Sequence, residues 1–202
     1  MEISELAAEL RARAAGRDRL MVAVAGPPAA GKSTVAEALA AAVGAEALVV
    51  PMDGFHLDNA VLEARGLLAR KGAPETFDAA GFIALIGRLR QEAEVVIPAF
   101  DRSRDIAIAG ASVVEAGHRI LIVEGNYLLL DRAPWEGLAA LWDVTVWLEV
   151  PIGELEARSV ARWLSYGMEE AAAQARARGN DMANARAVIE GSRAADVVIA
   201  NF

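Results

Sequence analysis

Short runs of consecutive apolar residues alternate with longer stretches of helical periodicity along most of the chain. The apolar runs predict buried strands at Leu20–Ala25, Ala47–Met52, Glu94–Ile97, Arg119–Val123, Val144–Val150 and Ala195–Ala200. Helical spacing is found over Ile3–Ala15, Ser33–Val43, Asn59–Arg70, Asp78–Gln91, Trp135–Leu141 and Ile152–Gly191, the last with breaks near Gly167 and Gly179. Residues 98–110 are expected to be irregular. This alternation predicts one α/β domain over residues 1–202, with a parallel sheet covered by helices on both faces.

The segment between the first strand and the second helix contains Gly26-x-x-x-x-Gly31-Lys32-Ser33, which fits the full P-loop pattern. Such a loop wraps closely around a phosphate, and side chains at the two glycine positions would obstruct it. The chain has two lysines against eighteen arginines, and one of the two stands here. A compact ammonium suits the β- and γ-phosphates, and the Ser33 hydroxyl suits Mg²⁺. We therefore predict a nucleotide-phosphate site on the residues of the loop, Gly26, Pro27, Pro28, Ala29, Ala30, Gly31, Lys32 and Ser33.

The composition argues against several classes of binding partner. A net charge of −8 argues against a nucleic-acid surface. With no cysteine and two histidines, neither disulfides nor a zinc site is expected. The first twenty residues carry charges throughout, and no apolar run reaches about 18 residues. We therefore expect a cytosolic protein that acts on small molecules, with no membrane partner.

Two acidic residues follow predicted strands. Because the carboxyl ends of parallel strands meet at one edge of a sheet, Asp53 and Glu124 are expected to lie near the P-loop. Asp53 suits a general base for a hydroxyl or a ligand of Mg²⁺ through water, although Asp-Gly pairs are also common in ordinary turns. His56 suits either a substrate contact or packing under the loop.

The signatures of other P-loop classes are absent from the sequence. There is no Asn-Lys-x-Asp guanine reader and no Leu-Ser-Gly-Gly signature. A small-molecule kinase fits the single-domain length better, and the alternative is a regulatory NTPase that binds a partner protein.

Longer motifs carry a family resemblance. The runs Asp53-Gly-Phe-His-Leu-Asp-Asn59, Leu62–Leu67 and Arg70–Asp78 join Gly26–Thr34 and Val123-Glu-Gly125. Together they resemble the P-loop kinases that include uridine kinase, phosphoribulokinase and bacterial pantothenate kinase. They are more similar still to a bacterial subgroup labelled fructose-transport-associated kinase or fructokinase. The resemblance implies a three-layer α/β/α P-loop fold with a helical lid at about residues 152–191.

The resemblance also implies an activity. The γ-phosphoryl group of ATP would move to an alcohol group of a small metabolite, such as a sugar like fructose, a nucleoside or a pantothenate-like compound. It implies that Lys32, Ser33 and Thr34 hold the ATP phosphates and Mg²⁺, and that Asp53 is the base. Glu124 would lie near metal or substrate, or would be an ordinary strand-end acid. The sequence leaves a homodimer open.

Further residues are implied to contact the substrates. The acceptor would meet His56, Arg65 and a loop that carries Asp101 and Arg102, unless these last two form an ordinary solvent ion pair. Arg158 and Arg162 are four residues apart and therefore share a helix face, which in this family approaches the phosphates. The alternative is an exposed basic stripe paired with nearby glutamates.

Overall fold

The computed structural model describes residues 1–201 and contains two sheets. The strands are β1 (Leu20–Ala25), β2 (Ala47–Pro51), β3 (Val95–Asp101), β4 (Ile106–Val114), β5 (Ile120–Gly125), β6 (Val144–Glu149) and β7 (Val197–Ala200). The α-helices are α1 (Ile3–Ala14), α2 (Lys32–Val43), α3 (Asn59–Ala64), α4 (Ala79–Gln91), α5 (Ile152–Ser165), α6 (Glu170–Arg176) and α7 (Met182–Gly191). Tighter 3₁₀ turns occur at Met52–Phe55, Leu68–Arg70, Pro74–Thr76 and Trp135–Leu141, and a wider π turn at Ala177–Asp181.

The main sheet has five parallel strands in the order β2-β5-β1-β6-β7. β1 is central and buried along its whole length, because both faces of the sheet are covered. Its residues alternate between two apolar cores: Met21 packs with α4 on one face, and Val22 packs with α1 and α2 on the other. The three-layer α/β/α prediction is therefore confirmed.

The strand order decides which chain segments meet at the carboxyl edge of the sheet. β5 lies between β1 and β2, and Glu124 is the register neighbour of both Val24 and Pro51. The segments that follow these three strands therefore lie side by side, with Glu124 between the P-loop and Asp53.

The region expected to be irregular forms an antiparallel hairpin of β3 and β4, so that prediction was wrong. Two features hid it. Pro98 lies inside β3, and the register shifts between Ile97 and Ala99, which is how a proline is accommodated in a strand. Most of β4 is not buried, and its centre, Ala109-Gly110-Ala111-Ser112, consists of small residues that are poor strand formers, so the sequence does not mark it as a core strand.

Two helical predictions also need correction. α3 ends at Ala64, because Gly66 adopts a left-handed conformation with φ of 68°, and only a short 3₁₀ turn follows. The break expected near Gly179 is instead the π turn, which joins α6 to α7 without interruption, whereas the break at Gly167 is present (φ 81°). None of the helices in residues 1–201 is long and apolar enough to span a bilayer.

Candidate active site

The P-loop passes through left-handed backbone at Ala29 (φ 64°) and Gly31 (φ 84°) before α2 begins. A Cβ at Gly31 would lie 2.7 Å from the side-chain amide nitrogen of Asn201, which can move away, so it is the left-handed backbone conformation that favours glycine here. Gly31 has no side chain with which to cap α2. The N–H groups of the first helical turn are therefore available to an anion, which the helix dipole also favours.

Lys32 is a buried cation at the floor of this loop, with 8% of its surface exposed. Its ammonium donates a hydrogen bond to the carbonyl oxygen of Pro27 at 2.9 Å. Burial lowers the pKa of Lys32 to about 8, although the negative charges of Glu124 and Asp53 oppose this shift. A phosphate in the loop would supply the counter-charge that the ammonium lacks in a direct hydrogen bond, so the site fits a nucleotide phosphate.

Glu124 and Ser33 present oxygen atoms beside Lys32. The Ser33 hydroxyl donates to Glu124 Oε1 at 3.3 Å, and Glu124 is 7% exposed. Burial, followed by the charge of Asp53, raises the pKa of Glu124 above its usual range. A hydroxyl and a carboxylate are hard oxygen ligands of the kind that Mg²⁺ prefers, so these residues fit that ion.

Asp53 lies in the 3₁₀ turn that follows β2, and two glycines let the neighbouring segments pack closely around this turn. A Cβ at Gly54 would lie 2.8 Å from the backbone of Pro98, and one at Gly125 would lie 2.6 Å from Met52 Cβ. The first contact brings the hairpin against the turn, and the second brings the ends of β2 and β5 together. The Asp-Gly and Glu-Gly pairs in the sequence therefore have a packing reason beyond turn formation.

The hairpin places Arg102 on Asp53, since its guanidinium donates to Asp53 Oδ2 at 2.5 Å. His56 lies below them, with its Nδ1 2.8 Å from the carbonyl oxygen of Asp53. Its ring packs between Phe77 and Phe100, at centroid distances of 4.0 and 4.5 Å. Burial lowers the pKa of His56, so the ring is neutral at physiological pH.

One cavity of about 790 Å³ collects most of these groups. It is lined by residues of the P-loop, by Asp53, His56 and Glu124, and by two further groups of side chains. We call one group the hairpin side, defined by Asn59, Lys71, Phe100, Arg102 and Asp105. We call the other the helical side, defined by Arg158, Arg162, Trp163, Arg176, Asp181 and Asn184.

The two predicted arginines of α5 reach this cavity, whereas Asp101 does not. Arg158 and Arg162 line it, but each is paired with a carboxylate, Glu154 at 2.7 Å and Asp181 at 3.0 Å respectively. Asp101 instead accepts hydrogen bonds from Ser103 and Arg104 within the turn of the hairpin.

Arg65 is also outside the cavity: it is exposed at the end of α3. The residues Pro28, Ala29, Gly31, Lys32, Ser33 and Thr34 of the predicted phosphate loop do line the cavity.

Lys71 is a cavity residue that the sequence analysis did not single out. Its ammonium donates to Asn59 Oδ1 at 2.7 Å and to the Asp105 carbonyl at 2.9 Å, and pairs with the Asp105 carboxylate at 2.7 Å. It also lies 5.3 Å from the Phe100 ring centroid. The scarcity of lysine was a signal that applied equally to this residue, since Lys32 and Lys71 are the two lysines of the chain.

Comparisons with known proteins agree with this geometry, although no protein-family model matches the chain. A Schizosaccharomyces pombe protein named "Putative uridine kinase C227.14" is 35% identical over 200 residues, covering 91% of this chain and 83% of that protein. A pantothenate kinase of Leifsonia xyli subsp. xyli is 32% identical over 151 residues, covering 71% of this chain and 45% of that enzyme.

A solved structure is more similar still. A "putative fructose transport system kinase" from Silicibacter sp. TM1040 has a TM-score of 0.94 and 52% identity, and the match covers 98% of this chain and 99% of that one. The chain therefore belongs to the P-loop kinases of the uridine kinase and pantothenate kinase type, and it is a small-molecule phosphotransferase that uses ATP.

Proposed function

We propose that this kinase transfers the γ-phosphoryl group of Mg–ATP to an alcohol group of a small, uncharged polyhydroxy metabolite, with sugars such as fructose ahead of pantothenate-like acids. The observation that carries the proposal is the position of Asp53. Its carboxylate opens into the same cavity as Lys32, and the strand that separates their segments contributes Glu124. A base, a cation that can bind phosphate and a further carboxylate thus face the same cavity.

The nucleotide side of the proposal rests on the P-loop. The loop backbone and the first turn of α2 would hold the phosphates, and Lys32 would contact the β- and γ-phosphates. Ser33 and Glu124, with Asp53 close by, would hold Mg²⁺. When bound, Mg²⁺ neutralises part of the phosphate charge. Lys32 and the arginines of the helical side stabilise the charge that develops on the phosphoryl oxygens.

The proposed proton acceptor is the carboxylate of Asp53. Arg102 donates to its Oδ2, which leaves Oδ1 to accept from the acceptor hydroxyl. Asp53 accepts the hydroxyl proton while the acceptor oxygen bonds to the γ-phosphorus. The bond from phosphorus to the bridging oxygen breaks, and ADP leaves with that electron pair.

The preference for an uncharged acceptor follows from the charges on the hairpin side. Both of its cations are already paired, Arg102 with Asp53 and Lys71 with Asp105. Lys71 uses its three donors on Asn59 and Asp105, so an acidic acceptor would have to displace a carboxylate to reach it. The two aspartates still have free lone pairs, which hydroxyl groups of a sugar or nucleoside can satisfy.

We further propose that residues 152–191 act as a lid within a single domain. The π turn already contacts the hairpin side, because Asn180 donates to the Lys71 carbonyl at 3.0 Å and accepts from Arg70 at 3.0 Å. Movement of this segment would therefore open and close the cavity over both substrates.

The test is a panel of matched acceptors that differ by one carboxylate: pantothenyl alcohol against pantothenate, and glucitol against gluconate, with fructose and uridine added. ADP release is followed by a coupled assay, and phosphorylated products are identified by mass spectrometry. We expect kcat/KM for the neutral member of a pair to exceed that of the acid by about tenfold or more, since displacing a paired carboxylate costs upward of about 1.4 kcal/mol. Preference for the acids would overturn the acceptor class and leave the nucleotide assignment intact.

A further inference from the structure

The last strand of the main sheet ends beside the phosphate loop. β7 pairs with β6 as far as Ala200, and the N–H of Asn201 donates to the carbonyl oxygen of Glu149 at 3.0 Å, one residue beyond the strand. The side-chain amide of Asn201 donates to the carbonyl oxygen of Ala30 at 2.7 Å, across 171 positions of the sequence. The sheet thus holds Asn201 by its backbone, and the Asn201 side chain holds a peptide group of the loop.

This contact fixes the direction in which the peptide between Ala30 and Gly31 faces. The peptide is trans, and the C=O and N–H groups of a trans peptide point in opposite directions. Ala30 is fully buried and accepts from Asn201, whereas Gly31 lines the cavity. Because the carbonyl is turned toward Asn201, the N–H of Gly31 is directed away from that residue and toward the cavity.

Little else holds this peptide group in place. The first backbone hydrogen bond of α2 runs from the N–H of Val35 to the carbonyl oxygen of Gly31 at 3.1 Å, so the helix does not use the Ala30 carbonyl. Within residues 1–201, the Ala30 carbonyl accepts only from Asn201, and the Gly31 N–H has no acceptor. Gly31 has a left-handed backbone (φ 84°) and glycine rotates easily, so without Asn201 the peptide would be free to turn over.

We infer that Asn201 is a positioning residue of the kinase, which orients the peptide between Ala30 and Gly31 so that the Gly31 N–H donates to a phosphate group of the nucleotide. The inference rests on the proposed function, in which the loop holds the ATP phosphates. Asn201 does not line the cavity and acts through Ala30. A donor that is already oriented binds an anion without the entropic cost of ordering the loop, so the contact favours capture of the nucleotide.

The experiment compares Asn201→Ala and Asn201→Asp with a matched control, Val198→Ala. Both changes at Asn201 remove the amide donor, and the aspartate keeps the size of the side chain. Val198 lies three residues earlier in β7, half exposed and outside the cavity, so its truncation loosens the strand without touching the loop. Dissociation constants for ATP, inorganic tripolyphosphate and adenosine are measured by calorimetry, and thermal melts confirm folding.

The changes at Asn201 should affect nucleotide capture and leave phosphoryl transfer nearly intact. We expect Asn201→Ala to weaken ATP and tripolyphosphate binding by about 3- to 10-fold, the usual effect of one neutral hydrogen bond. Asn201→Asp should weaken both at least as much, because its carboxylate repels the Ala30 carbonyl. The kcat at saturating Mg–ATP should stay within about twofold of the wild type, since the bound phosphate then holds the peptide itself.

The remaining outcomes each decide the inference. Adenosine affinity should not change in the Asn201 variants, and Val198→Ala should bind ATP like the wild type. Unchanged ATP and tripolyphosphate affinity in folded Asn201 variants would overturn the inference. An equal loss in Val198→Ala would also overturn it, because loosening of the strand would then explain the effect, and so would a loss seen with adenosine but not with tripolyphosphate. Failure of the wild type itself to bind ATP would instead contradict the proposed function.

Discussion

At the scale of single residues, the site depends on a cation held in an environment that disfavours its charge. Lys32 is buried, and its ammonium has a neutral carbonyl as hydrogen-bond partner, with two carboxylates at longer range. Its pKa of about 8 in the folded protein lies below the 10.5 of an ordinary lysine. The charged form therefore costs the folded state some stability, and bound phosphates would relieve that cost.

The first prediction concerns the protons that accompany nucleotide binding. Between pH 8 and 10.5 the free protein loses the Lys32 proton, while phosphates in the loop favour the protonated form. ATP binding at about pH 8.5 should therefore take up a fraction of a proton, and ATP affinity should fall as the pH rises through 8. Calorimetry in buffers of different ionisation enthalpy measures this uptake.

Lys32→Met is the control for that measurement, because it keeps the length of the side chain and removes the titrating group. The same linkage makes wild-type stability rise relative to Lys32→Met between pH 8 and 10.5, since the unfolded chain holds the proton longer than the folded protein does. Equal proton uptake by the two proteins would show that another group titrates.

The second prediction concerns the base. Asp53→Asn keeps the shape of the side chain and removes its charge, so kcat should fall by roughly 10²- to 10⁴-fold, the usual effect of a general base. ATP affinity should change little by comparison. Asp58→Asn is the matched control, because Asp58 caps α3 through the backbone N–H of Ala60, and asparagine caps equally well. Normal turnover of a verified acceptor by Asp53→Asn would move the role of base to Glu124.

At the scale of elements, the hairpin of β3 and β4 delivers Phe100, Arg102 and Asp105 to the cavity. Its position depends on Gly54, whose missing Cβ leaves room for the backbone of Pro98. Two neighbouring backbones in contact leave no flexible side chain that could yield. A methyl group here would push the hairpin away from the turn that holds Asp53.

The third prediction follows from that contact. Gly54→Ala should destabilise the protein by about 1–3 kcal/mol, the usual cost of overpacking, and should raise the KM of the acceptor more than that of ATP. Gly87→Ala is the control, because Gly87 lies in α4 with nothing within 4 Å of the new Cβ, and it should stabilise by about 0.5–1 kcal/mol. Urea unfolding and steady-state kinetics measure both effects. A Gly54→Ala protein as stable as the wild type would contradict the packing argument.

The parts of the site that could be predicted are those encoded locally. The motif around Lys32 lies within one strand, loop and helix, and Asp53 and Glu124 are marked by the strands before them. Lys71 could not be placed in this way, because its contacts with Asp105 join segments 34 residues apart through a hairpin that Pro98 conceals. Arg176 was missed because its position depends on a π turn, which has no periodic signal in the sequence.

At the scale of the whole molecule, the cavity has walls from four sources: the main sheet with its loops, the segment of residues 59–72, the hairpin and the helical segment. The first is the rigid core of the fold, since its strands are covered on both faces. The helical segment meets the hairpin side through two hydrogen bonds of Asn180, of which one is exposed and the other part-buried. Two hydrogen bonds add little stability, so the opening proposed for this segment would leave the core folded.

The fourth prediction tests that movement by hydrogen exchange. Amides of α6 and the π turn (residues 170–181) should exchange more slowly when a non-hydrolysable ATP analogue is bound, and more slowly still when an acceptor is added. Amides of α1, which packs against α2 and contributes no residue to the cavity, serve as the internal control and should not change. Asn180→Ala should reduce the extra protection given by the acceptor. Equal exchange in all three states would argue against a lid.

The hairpin has a further consequence for anyone who wishes to redesign this enzyme. Val95 and Val114, at its two ends, are register partners, so the hairpin enters and leaves the structure at one place. A segment with adjacent ends can be exchanged as a cassette, because a replacement of similar length does not have to stretch its surroundings. Libraries confined to residues 99–113, with Arg102, Gly54 and Pro98 retained, would explore new acceptors without altering the phosphate loop or the contact of Arg102 with Asp53. Acceptor selectivity and phosphoryl transfer can in this sense be varied separately.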